Sequence, residues 1–408
     1  MNKTRLKNYA KLIAKVGANV RRGQEVIIAA ELDQPKFVEL LVRECYKLGA
    51  KRVSVDWSHQ PLEALNVKYC KDEVLGTLDE WQISKWERQA EVLPVKIYLT
   101  SEDPDGLAGV DQKKYAKARA KRALTIKPIR ARMENRYQWC IAGVPGEDWA
   151  KKVFPGVRTS KAIDMLWDAI LDASRVGDDP IADWEKHNAQ FVKRCEYLNS
   201  LSLRKLHYTS KSGTDLTVGL IPDGIFAGGG EETLGGGVYF NPNIPTEEIF
   251  TSPMRGEAEG IVYSSMPLSY GGQLIDKFSL KFEGGKVTEA RAEVGEAMLR
   301  EMIALDEGAS YLGECALVPY SSPIRQSGIL FYNTLYDENA ACHLALGAGF
   351  TNLLRDYDRY TEDEAHAMGI NDSVSHVDFM IGTEDLRIVG TDKDGREIVI
   401  FDKGEWAF

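Results

Sequence analysis

Glu314 and His343 sit inside apolar runs that a compact fold must bury. One run reads LGECALVPYSSPI from Leu312, and a second, NTLYDENAACHLALG, ends at Gly347. A third, SVSHVDFMIG, carries His376 and Asp378. Together these runs set Glu314, Asp337, Glu338, His343, His376 and Asp378 against a background of Ala, Leu, Val and Ile. Such groups are costly to bury without compensation. A divalent cation compensates carboxylates and imidazoles together. The stretch from 312 to 378 therefore reads as most of a metal site, and the rest of the chain as its wall.

In a strand, residues two apart share a face, so His376 and Asp378 point together while Val377 and Phe379 point into a core. One nitrogen and one carboxylate on a rigid face suit Zn²⁺, Co²⁺ or Mn²⁺. An ordinary His–Asp hydrogen bond is the other reading of that pair. Glu338 and His343 are five apart, and five residues of α-helix turn about 500°, leaving them roughly 140° apart. The pattern predicts a helix from near Asn339 to Gly347 or Gly349, with His343 one turn inside and Glu338 at its mouth. Asp337 or Glu338 could equally be a plain cap. Glu247 and Glu248 are adjacent, so in an extended segment only one can face a given point. Four or more carboxylates with two imidazoles exceed the need of one Zn²⁺. They fit two cations bridged by a carboxylate and a water or hydroxide, a centre that makes a nucleophile at neutral pH.

The 408 residues are enough for two or three domains. In the first half, EVIIAA, an amphipathic segment stopping at Gly49, and KRVSVDW form a strand–helix–strand unit, the mark of a parallel sheet. VKIYLTS and YQWCIAG extend that sheet, with helices between and after them. Beyond about Asn199 the period changes to two. Hairpins are predicted over 201–221 and 386–401, and a run of strands with Gly-Gly turns over 260–295. The expectation is an α/β domain over 1–199, its parallel sheet flanked by helices, and an α+β domain over 200–408, rich in antiparallel strands and carrying the metal site.

Composition narrows the function. A net charge of −10 disfavours general nucleic-acid affinity. The basic segment from Lys113 to Arg136 reads as a solvated helix face or a domain contact, since no aromatics interleave its first part. The glycines between 224 and 237 lack the Lys-Ser/Thr and helix of a phosphate loop and read as a close-approach loop near a site. No run reaches the length of a membrane span, and the N-terminus lacks a secretory apolar region. Six scattered cysteines read as reduced thiols of a cytoplasmic protein. His59, His187, His207 and His366 read as surface residues.

NPNIPTEEIFTSP, LGECALVPYSSPI, YNTLYDENAACHLALG and SHVDFMIGT, in this order, closely resemble the thermophilic-type metalloaminopeptidases of the M29 family. WCIAGVPGEDWAKKVFPG and GTDLTVGL resemble it in the first half. The resemblance implies removal of N-terminal residues from peptides by a dinuclear centre and a metal-bound hydroxide, in a homodimer. It implies metal ligands at Glu248, Glu314, Glu338, His343, His376 and Asp378, with Glu314 bridging and Glu314 or Glu338 shuttling protons. It also implies a Tyr seven residues after the ligand His, where this chain has Phe350. A non-peptidase metallohydrolase, or a metal-binding homologue without catalysis, are the competing readings.

Overall fold

The computed structural model describes residues 3–408. The chain forms two compact units. One takes in the chain up to Lys186 and takes back Gly230–Pro245; the other holds His187–Gly229 and Thr246–Phe408.

In the first unit, Val26, Ile28 and Ala30 alternate into the core from the strand Glu25–Glu31. That strand lies between Arg52–Ser58 and Val95–Thr100, and the sheet continues through Trp139–Gly143 to Asn243–Ile244, all parallel. Helices connect the first four of these strands in sequence, the usual crossover of parallel pairing; the chain reaches Asn243–Ile244 only after passing through the second unit. Pro35 opens Pro35–Lys47 at its first turn, and Gly49, at φ +92°, follows its end. Asp79 and Gln82 form a capping box on Glu80–Val92. Tyr9, Phe37 and Trp167 pack ring against ring at 5.3–6.4 Å, and the Tyr9 hydroxyl donates to the Gly143 carbonyl at 3.0 Å.

The basic segment is the helix Gln112–Ala131. Its cations reach neighbouring helices: Lys114 donates to the Cys70 carbonyl, and Arg132, just beyond its end, pairs with Glu87. No helix among the described residues is long and apolar enough to cross a membrane.

The second unit contains two antiparallel sheets. The larger includes the hairpins Leu203–Thr209/Asp215–Leu220, Gln273–Glu283/Lys286–Val294 and Arg387–Asp392/Glu397–Asp402. The smaller runs His376–Met380, His343–Gly347, Leu312–Leu317, Ile249–Thr251, Ala227–Gly228. Leu206, Val218 and Phe278 from the first share one core with Ile249, Cys315, Leu344 and Phe379 from the second. At about 25 cal/mol per Å² this shared apolar burial is the main force closing the unit.

Candidate metal centre

The smaller sheet sends alternate side chains to opposite faces. Cys315, Leu344, Leu346, Val377 and Phe379 enter the core, so Glu314, His343, Ala345, His376 and Asp378 share the other face. The ladder aligns them: Ala345 pairs with both Glu314 and Asp378, and Gly347 with His376. The small Ala345 methyl leaves space between the two carboxylates. Ligand atoms of Glu314, His343 and Asp378 lie within 4.8 Å of one another.

His343 therefore opens a strand, not the predicted helix. The helical chain is confined to Thr334–Asp337 and the turn Glu338–Ala340. The strand is covered on both faces, so CHLALG shows no alternation, and a short apolar run fits either structure. Glu338 is instead the first residue of the turn.

Both imidazoles are oriented from behind. His343 Nδ1 donates to the Ala341 carbonyl at 3.1 Å and His376 Nδ1 to the Ala348 carbonyl at 2.7 Å. That leaves each Nε2 facing carboxylates, the tautomer a metal ligand needs. His376 Nε2 lies 3.0 Å from Glu314 and 3.1 Å from Asp378. His343 Nε2 lies 3.4 Å from Glu248. Burial pulls the His376 pKa down, but bonds to Asp378 and Glu314 and their charges win, and it rises to about 11.

Glu248 and Glu338 are pushed well above the usual carboxylate range, first by burial. Glu314 and Asp378 repel both, and Glu248 repels Glu338. Four crowded carboxylates and two prepared Nε2 atoms fit divalent cations. Glu248, Glu314, His343, His376 and Asp378 thus lie together, and Glu338 feels the charges of Glu248, Asp378, Glu314 and His376.

Asp337 does something else. Its carboxylate accepts the N–H groups of Phe331 and Asn333 at 2.8 and 3.0 Å and closes that loop. Burial raises its pKa to about 7 against these bonds. Glu247 lies 3.9 Å from His187, not at the cluster. His187 is buried, contrary to the surface reading. Its Nε2 donates to the Thr246 carbonyl at 2.9 Å and its ring packs on Phe191. His59 is exposed, while His207 and His366 are partly covered.

Gly228 lets the backbone approach: a Cβ there would come 2.4 Å from the Glu248 carbonyl oxygen. The Phe350 ring centroid lies 4.9 Å from that of His376. Asn339, which the sequence reading did not single out, accepts the Glu247 N–H. A lone Asn beside a candidate ligand carries little signal.

The family model for thermophilic metalloprotease (M29) matches residues 2–406. Aminopeptidase 2 of Geobacillus stearothermophilus is 40% identical over 405 residues, covering 99% of this chain and 98% of that relative. Aminopeptidase AmpS of Bacillus subtilis (strain 168) is 39% identical over 406 residues, with the same coverages. The solved structure of wild-type AmpT from Thermus thermophilus superposes with a TM-score of 0.91 at 36% identity, covering 100% of both chains.

Proposed function

Since this chain belongs to the M29 family of thermophilic metalloproteases and is a metalloaminopeptidase, a hydrolase of peptide bonds, we propose that it removes N-terminal residues through two divalent ions. Glu248, Glu314, Glu338, His343, His376 and Asp378 hold them, on the second unit. Zinc, cobalt or manganese bound there would supply a nucleophile from water at neutral pH and polarise the scissile carbonyl. The carrying observation is the convergence of these groups, with both Nε2 atoms turned to carboxylates by backbone carbonyls.

Glu314 is the central group, reaching His376 directly while lying in the triplet with His343 and Asp378. Glu314 would help to hold both ions. Glu314 or Glu338 would take the proton of the attacking water and return it to the leaving amine. His376 and His343 keep their tautomers throughout, because each Nδ1–H stays hydrogen-bonded to a backbone carbonyl. On this reading the protein works as a cytoplasmic homodimer on peptides with a free N-terminus. Six free cysteines accord with a reducing compartment.

The test is a panel of amino-acyl arylamides assayed after chelation and re-addition of each metal. Activity should return with metal, and His376→Ala or Asp378→Ala should stay at the background rate under all metals. Full turnover by either variant would remove the proposed centre. A second reading, a metallohydrolase with altered chemistry, draws on Phe350 beside His376. Cleavage of other amides in preference to amino-acyl arylamides would favour it.

A further inference from the structure

We infer that Asn339 is the positioning residue that brings Glu248 and Glu338 to the four ligand residues of the sheet. The inference rests on the metallopeptidase reading above. Glu314, His343, His376 and Asp378 lie on three adjacent strands, and the ladder fixes their spacing. Glu248 and Glu338 have no such support. Glu248 precedes the strand Ile249–Thr251, and Glu338 opens a single turn. Like charges crowd both from the cluster side. Without a restraint, the two segments would relax apart.

Asn339 supplies the restraint. It is fully buried, and its amide spans both segments. Oδ1 accepts the Glu247 N–H at 2.7 Å, across 92 positions of sequence. Nδ2 donates to the Leu335 carbonyl at 3.0 Å and to Glu338 Oε1 at 3.3 Å. The Ser322 hydroxyl donates to the Asn339 carbonyl at 2.6 Å and ties the turn down. The amide thus uses its acceptor and both donor hydrogens. An apolar side chain would strand a buried N–H. Asp would lack the donor for Glu338. With Oε1 held by the amide, Glu338 keeps Oε2 for a cation. Partners of this kind typically set metal affinity by about 10–100-fold.

The experiment measures Zn²⁺ affinity of the full chain by competition with a chromophoric chelator, alongside thermal unfolding of the metal-free protein. The proteins are the wild type, Asn339→Ala, Glu248→Gln/Glu338→Gln, the triple variant, and Asp378→Ala. Asn339→Ala should bind Zn²⁺ about 10–100-fold more weakly. In the triple variant the same change should add nothing, because the residues it acts through are already altered. A merely structural role would shift the melting temperature equally in both backgrounds and leave affinity alone. Wild-type affinity in Asn339→Ala, or a loss carried in full into the triple variant, overturns the inference. If Asn339→Ala does not fold, Asn339→Ser, whose hydroxyl is smaller and still polar, serves in the same comparison. A wild type that binds no Zn²⁺ sinks the metal reading and this inference together. Binding lost in Asp378→Ala but unchanged in the Asn339 variants sinks this inference alone.

Discussion

Glu231 shows what a buried carboxylate costs when nothing compensates it. It begins the short strand Glu231–Glu232 in the first unit, and burial raises its pKa to about 7. The native state therefore holds a proton between the ordinary carboxylate value and 7 that the unfolded chain has released. Stability is highest below that window and falls as pH rises through 7. Glu231→Gln should leave the melting temperature nearly unchanged at pH 4 and raise it at pH 8. At 1.36 kcal/mol per unit, the gain is at most about 3 kcal/mol. Thermal unfolding at the two pH values reads the difference. An equal shift at both would show that the effect is packing, not ionisation.

At the scale of elements, the centre depends on what is missing from the middle of its row. Ala345 pairs with Glu314 on one side and Asp378 on the other. Ala345→Leu should fill that space without replacing any of the six residues. It should cost about 1–3 kcal/mol by overpacking and abolish both metal binding and arylamide hydrolysis, as chelator competition and the assay would show. Unchanged metal binding would place the cations elsewhere. This row was half legible. The alternation in SHVDFM put His376 and Asp378 on one face correctly, because one side of that strand is apolar. His343 was misplaced on a helix because its strand is covered on both sides and has no alternation to read. The βαβ units and hairpins were legible because Gly and Pro punctuate them. Asn339 was not, since its partner at Glu247 is remote in sequence. Nor was the burial of His187, which follows from its contact with Thr246.

For the molecule as a whole, connectivity sets the limits. The segment Gly230–Pro245 leaves the second unit, adds the strand Asn243–Ile244 beside Trp139–Gly143, and goes back. A fragment of residues 1–199 lacks this strand. It should melt below the intact first unit and self-associate through the uncovered edge, as thermal unfolding and size-exclusion chromatography would show. Restoring residues 230–245 through a linker should reverse both. No two-residue strand has a period to detect, which is why that excursion was invisible in the sequence. Its consequence reaches into inheritance. A single crossover anywhere in the gene would give at least one unit parts from two parents. Exchanging either unit intact between relatives takes several breakpoints at once, so lineages should pass the pair on as one piece.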